Sequence, residues 1–280
     1  MKKIGFVDYF IDEWHADNYP DFLKSALERT GDEFEIAYVW TELNDSPRGG
    51  VSTDDWCKKF GAEKCATLDE LCEKSDYIVI LSPNNPEKHL EYAKGVLKHG
   101  KLTYIDKTFA PDLETAKAIF AEGEKYGTKF FSTSALRYAD ELDTLDCTNG
   151  AIVIGGGPNF DIYGIHMIEM AVKLIDAEPA SVYCTNQGTQ NILNVTFKNG
   201  VKSTIIYTPG APFAIASCDK DMKGQYVTVA SDFFVNLLAE IVKFFKTGEV
   251  PFDGKQTLYA IQLRDACVKA IENPGQIINA

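Results

Sequence analysis

The apolar positions change their period part-way along the chain, and the change falls near residue 135. Before it, short apolar runs alternate with helical stripes. Residues 3–7 read as a buried strand. Residues 19–29 place Phe22, Ala26 and Leu27 on one helical face, closed by Thr30-Gly31. A second strand follows at 34–40. Thr67-Leu68-Asp69-Glu70 is a capping box that opens a short helix. Residues 77–81 are apolar without a break, as in a strand covered on both faces. A helix at 86–99, a strand at 103–106, a helix at 112–126 stopped by Gly127 and a strand at 129–132 complete the run. Five strands with helices between them predict an α/β, Rossmann-like, doubly wound parallel sheet over residues 1–135.

From residue 136 to 280 the pattern is different. Residues 161–175 carry Ile165, Ile168, Val172 and Ile175 at helical spacing. Leu193, Val195 and Phe197 alternate with polar residues, Asn199-Gly200 signals a type I′ turn, and the alternation resumes through Ile205 and Tyr207. Further strands are expected at 211–217 and 225–230. A period of two means one packed and one free face, so an α+β domain with an open antiparallel sheet is predicted. The free face is expected to meet a partner subunit in a homodimer or homotetramer. Phe233, Phe234, Leu237, Leu238, Ile241, Phe244 and Phe245 stripe one helix, read as core. The last helix, 258–271, is allowed to pack back on the first domain.

Composition narrows the class. A chain of 280 residues with 45% hydrophobic and 25% charged residues suits a soluble globular protein with a large core. A net charge of −13 argues against nucleic acid or an anionic membrane as partner. No apolar run approaches the roughly 20 residues of a membrane span. Met1-Lys2-Lys3 is not the start of a signal peptide, because Asp8 interrupts the apolar run. The seven cysteines form no C-x-x-C pair and no zinc spacing, which reads as reduced thiols in the cytoplasm.

Candidate chemistry begins at Lys107, the residue presented where the 103–106 strand ends. Ligands of parallel sheets gather at such carboxyl ends. Its neighbours carry a resemblance. Ser82-Pro83-Asn84 with His89 five residues on, Asp106-Lys107-Thr108, Ser134-Ala135-Leu136-Arg137-Tyr138, and Asp161-Ile162-Tyr163-Gly164-Ile165-His166 follow one another in a known order. So do the 233–245 stripe, Gly248, Pro251 and the final helix. These segments are similar to those of the Gfo/Idh/MocA oxidoreductases, and the resemblance covers nearly the whole chain. It implies a Rossmann domain for NAD or NADP and oxidation of hydroxyl groups on sugars or cyclitols. It further implies Lys107 as donor to the reacting oxygen, His166 as base, and Asp161 orienting that base, with Lys107 and His166 facing one cleft. Tyr9, Phe10, Ile11, Ser82, Pro83, Asn84, Asp106 and Lys107 would meet the cofactor. Trp14, His15, Arg137, Tyr138 and Tyr163 would meet the substrate, with no metal.

Three departures stand against that pattern. A glycine fingerprint, which lets the backbone approach a pyrophosphate, is expected after the first strand, but residues 8–15 contain no glycine. Instead they include Asp8, Asp12 and Glu13, and a carboxylate about 4 Å from a phosphate charge costs roughly 4 kcal/mol at an effective dielectric of 20. NAD(P) binding is therefore expected to be weak or atypical. Thr108 stands where the family has proline. Asp161 and His166 lie five apart rather than four, so either the helix starts after Asp161 or a bulge corrects the phase. A lyase or isomerase using Lys107 and His166 without nicotinamide, with His15 and the 8–17 acids on a metal, is one rival reading. A catalytically silent sugar-binding protein is the other. Glu42, after the second strand, would accept from a ribose hydroxyl and favours NAD. His89 is read as a helix-surface or packing residue.

Overall fold

The computed structural model describes residues 1–280 and divides the chain into two units. One comprises Met1–Thr133 and Phe234–Phe252, the other Ser134–Phe233 and Asp253–Ala280. The first unit begins with β1 (Lys2–Asp8), α1 (Trp14–Thr30), β2 (Phe34–Thr41), α2 (Thr53–Phe60), β3 (Glu63–Lys64) and α3 (Leu68–Lys74). It continues with β4 (Tyr77–Ile80), α4 (His89–Leu97), β5 (Thr103–Ile105), α5 (Leu113–Tyr126) and β6 (Phe130–Phe131). All strands are parallel, in the order β3-β2-β1-β4-β5-β6. The order reverses between β1 and β4, which opens a crevice at their carboxyl ends.

Local chemistry explains the helix ends. Thr67 accepts from the Glu70 N–H at 3.1 Å, and Asp112 from the Thr115 N–H at 2.7 Å. Gly31, Gly61 and Gly127 close α1, α2 and α5 in the left-handed conformation. Helix α1 begins at Trp14, five residues before the expected start, with Pro20 inside it.

The second unit holds β7 (Ala151–Gly155), α6 (Phe160–Ile175), β8 (Pro179–Gln187), β9 (Gln190–Phe197), β10 (Lys202–Tyr207), β11 (Ala214–Cys218) and β12 (Gly224–Thr228). Its last elements are α8 (Gly254–Glu272) and β13 (Ile277–Asn279), which follow α7 (Phe233–Thr247) in the chain. The seven-stranded sheet runs β12-β11-β7-β10-β9-β8-β13. It is mixed rather than purely antiparallel, since β7 lies parallel to β10. Helices α6 and α8 cover one face. The other leaves Ile152 41% and Tyr226 65% exposed.

Three expectations change here. The residues of α7 from Phe234 onward go with the first unit, because the aromatic stripe finds its partners there. Phe234 stacks on Phe22 at 5.1 Å and Phe245 on Tyr77 at 4.7 Å. The final helix α8 stays with the second unit, against β8 and α6. The β9–β10 hairpin forms as predicted, but its turn is not type I′. The Gly200 N–H donates to Phe197 O at 2.9 Å, and only Gly200 (φ 86°) has a positive φ there. That is a turn over Lys198 and Asn199 followed by a left-handed glycine. Nothing lies within 4 Å of a Cβ at Gly200, so Gly200→Ala should cost only the backbone strain, about 1 kcal/mol, read from the urea midpoint.

Candidate functional site

The crevice of the first unit is assembled from the ends of β1, β4 and β5. Asp8 ends β1 and is fully buried. Its Oδ1 accepts from the Tyr9 N–H at 2.7 Å and from the Ser82 hydroxyl at 2.9 Å, which ties the ends of β1 and β4 together. Its Oδ2 is buried without a partner. Burial pushes the Asp8 carboxyl well above the usual carboxylate range, and Glu13 adds to this against the hydrogen bonds from Ser82 and Tyr9.

Glu13 occupies the N-cap position of α1, but its side chain does not cap the helix. Its Oε2 accepts from Asn84 Nδ2 at 2.7 Å, while Oε1 is buried without a partner. Burial raises this carboxyl too, opposed by Arg48, Asn84 and Lys107.

Asp106, just past β5, anchors a second cluster. His15 donates Nδ1–H to its Oδ2. Its Oδ1 accepts from the Lys107 N–H at 2.8 Å and from the Tyr19 hydroxyl at 3.2 Å. The His15 ring stacks on Tyr19 at 5.2 Å. Burial alone would raise Asp106, yet His15 and Lys107 hold it below the ordinary carboxylate range. Burial lowers His15, which is therefore a neutral imidazole oriented by a buried carboxylate.

Lys107 is 6% exposed, and no hydrogen bond or ion pair of the chain takes up its ammonium. Burial lowers its pKa, with Asp106 and Glu13 opposing. The Lys107–Thr108 peptide bond is cis although no proline follows.

The remaining sequence candidates divide clearly. Phe10 and Ile11 are 2% and 1% exposed, so their side chains belong to the core and only their backbone is left for a ligand. Tyr9 is half-buried under Lys88. Pro83 is buried beside Ser82, whose φ is 61°. Trp14 is half-exposed and packs on Phe22 and Phe234. Glu42 follows β2, with both carboxylate oxygens 2.8 Å from Lys88 Nζ and one 2.8 Å from the Tyr92 hydroxyl. His89 is not at the helix surface: it is fully buried between the carbonyls of Leu81 and Phe109. No group of three or more His, Cys, Asp or Glu side chains is placed to hold a metal ion.

In the second unit, His166 Nδ1 lies 2.6 Å from Ser134 Oγ, with Tyr163 and Phe213 edge-on to its ring. Neither expected treatment of Asp161 holds. Helix α6 starts at Phe160 with Asn159 as its cap, which leaves Asp161 exposed in the first turn. Arg137 is 3% exposed and ion-paired to Glu169 at 2.9 Å, with Gln256 accepting from it at 2.5 Å. Its guanidinium is engaged inside the unit rather than presented to a substrate. Tyr138 is half-buried. The sequence motifs do not mark Tyr19, or Tyr104, whose hydroxyl donates to Thr133 O at 2.9 Å, or the contact of Ser134 with His166. Tyr19 stood four residues after His15, which was a usable signal on a helix.

Residues 23–134 match the model of an oxidoreductase family with an NAD-binding Rossmann fold. Among solved structures it is similar to a myo-inositol dehydrogenase from Lactobacillus casei in complex with NAD(H) and myo-inositol. That pair shares 13% identity and a TM-score of 0.82, covering 100% of this chain and 97% of the other. A probable dehydrogenase from Thermotoga maritima has 15% identity and a TM-score of 0.79, covering 99% and 98%. A myo-inositol dehydrogenase from Corynebacterium glutamicum has 14% identity and a TM-score of 0.78, covering 100% and 98%. At these identities the likeness shows the fold. No curated protein matches the sequence. No helix is long and apolar enough to cross a membrane.

The model matched over residues 23–134 is that of an NAD-binding Rossmann fold, and the polar atoms of the crevice test the fit of NAD. The end of β2 suits it, since Glu42 offers a carboxylate of the kind that accepts from a ribose hydroxyl. At the β1–α1 loop the unpartnered oxygens are Asp8 Oδ2 and Glu13 Oε1. As carboxylates they oppose a pyrophosphate. Both oxygens are enclosed by the protein, so neither is presented to a phosphate. The fit to NAD rests on Glu42 at the end of β2.

Proposed function

We propose that the chain oxidises a hydroxyl group of a sugar or cyclitol, using NAD rather than NADP. The observation that carries this reading is Lys107: a buried ammonium without a partner, at the carboxyl end of β5 in a Rossmann sheet. Its desolvation outweighs the attraction of Asp106 and Glu13, as expected of a residue kept for a ligand. The likeness to inositol dehydrogenases supports the substrate class.

Bound NAD supplies the hydride acceptor. The chain's own residues handle the charge and the proton. Lys107 donates to the reacting oxygen and stabilises the negative charge that develops on it. His166 accepts the hydroxyl proton, with Ser134 fixing the ring tautomer. Ser82 and Asn84 hold the β4 loop against the cofactor, and Glu42 takes the ribose, which favours NAD over its 2′-phosphorylated form. His15 faces the substrate side of the same crevice, oriented by Asp106.

Titrating the purified protein into NADH should enhance the cofactor fluorescence, and a panel of sugars and cyclitols with NAD should include at least one that yields NADH. Absence of both signals would favour the silent sugar-binding reading. The free face of the second sheet is proposed as a subunit interface, because Ile152 and Tyr226 lie exposed on it. Light scattering at micromolar concentration should give a dimer or tetramer mass, and a monomer would refute the interface.

A further inference from the structure

The carboxylate at the end of β2 is already engaged. Both oxygens of Glu42 lie 2.8 Å from Lys88 Nζ, and the hydroxyl of buried Tyr92 donates to Oε2 at 2.8 Å. A carboxylate has about four acceptor positions. Lys88 and Tyr92 fill both on Oε2 and Lys88 fills one on Oε1, so a single position on Oε1 is left for a ribose hydroxyl. The pair stays within reach of a ligand, with 23% of the Lys88 side chain and 33% of the Glu42 side chain exposed.

The chain fixes Lys88 in that place. It ends a 3₁₀ turn, Pro86–Lys88, its N–H donating to Asn85 O at 3.0 Å, and α4 begins at the next residue. That residue is His89, clamped between the carbonyls of Leu81 and Phe109. The Lys88 ammonium stands 5.0 Å from the centre of the Tyr9 ring, and Glu91 approaches it at 3.6 Å. The hydrogen bond to Glu42 raises the Lys88 pKa, which keeps the ammonium charged at neutral pH. An ion pair this exposed adds little to stability. Its effect on a charged ligand is larger.

NADP differs from NAD by a phosphate on the ribose 2′ oxygen, the position a carboxylate after the second strand discriminates. A lone carboxylate about 4 Å from one phosphate charge costs roughly a thousandfold in affinity at an effective dielectric of 20. An ammonium seated on both carboxylate oxygens cancels most of that field, and it brings a donor of its own to a phosphate. We propose that Lys88 is a specificity residue of the cofactor site: by pairing with Glu42 it keeps the preference for NAD narrow and leaves NADP as a weaker second cofactor. The proposal rests on the cofactor reading above and adds to it the residue that sets how strongly NAD is preferred.

Fluorescence titration of the wild-type protein with NADH and with NADPH reads both dissociation constants. NADH should bind more tightly, by less than about a hundredfold. Lys88→Met keeps an unbranched side chain and removes the charge. It should weaken NADPH binding at least about tenfold while NADH binding holds or tightens, and the melting temperature should stay in place. Lys88→Arg returns a cation to Glu42 and should restore the wild-type ratio. A lysine that only ties α4 to β2 predicts instead that Lys88→Met changes both constants alike. That result, or a wild-type preference for NADH above about a hundredfold, would overturn the proposal and leave the cofactor reading standing. No binding of NADH or NADPH by the wild type would remove both. The wild-type ratio needs no variant, so the test stands even if Lys88→Met folds poorly.

Discussion

Lys107→Ala should lower turnover about a hundredfold to ten-thousandfold on whichever sugar or cyclitol the chain oxidises, the range expected for one positioned acid or base. Its melting temperature should hold or rise. Truncation strands no partner, because the ammonium has none, and it removes a buried charge that only Asp106 and Glu13 offset. A structural lysine would behave in the opposite way, with stability falling and kcat following only through loss of folded protein. The pH profile gives a second signature. Burial lowers the Lys107 pKa below its ordinary 10.5, so the protonated form that donates to the reacting oxygen is lost as pH rises through that lowered value. The alkaline limb of kcat/KM should lie below the usual lysine range and vanish in Lys107→Ala. Full turnover in the variant would remove Lys107 from the chemistry.

Much of the fold was legible because its elements announce themselves by period and punctuation. The apolar run of β4, the capping box at Thr67 and the glycines after α1 and α5 are local signals that local structure obeys. Helix α2 escaped although Gly61 closes it, because its apolar face is short, and strand β3 because it has no apolar residue. Only Thr53, Trp56 and Cys57 of α2 are buried, and both residues of β3 are exposed. The parallel β7–β10 pair escaped for another reason: register between strands about fifty residues apart leaves no mark in a window of ten. At the site, the sequence displayed the acids of the β1–α1 loop and the missing glycines. It could not display burial. Asp8, Asp12 and Glu13 read alike in the chain, yet only Asp8 and Glu13 are buried with an unpartnered oxygen. His15 and Asp106, 91 positions apart, meet only because β1 and β5 flank β4 in one sheet.

Arg137 shows how a motif position can carry a structural role. The family resemblance placed it against the substrate, whereas the fold closes Glu169 around it, both side chains 4% exposed, with Gln256 on its other edge. The Lys173 ammonium donates to its carbonyl at 2.7 Å and holds the 3₁₀ turn of Ala135–Tyr138 against α6. Arg137→Ala should therefore lower the stability of the protein by about 3–5 kcal/mol, because Glu169 is left as an uncompensated buried charge. The urea midpoint reads that loss directly. Replacing both partners, as in Arg137→Met with Glu169→Leu, should recover most of it, since apolar side chains of similar volume carry no desolvation cost. A substrate-binding arginine predicts the reverse: a raised KM, an unchanged midpoint, and no rescue by the second substitution. The double variant separates the two roles, for Glu169→Leu can restore a fold but cannot replace a lost contact to a sugar hydroxyl.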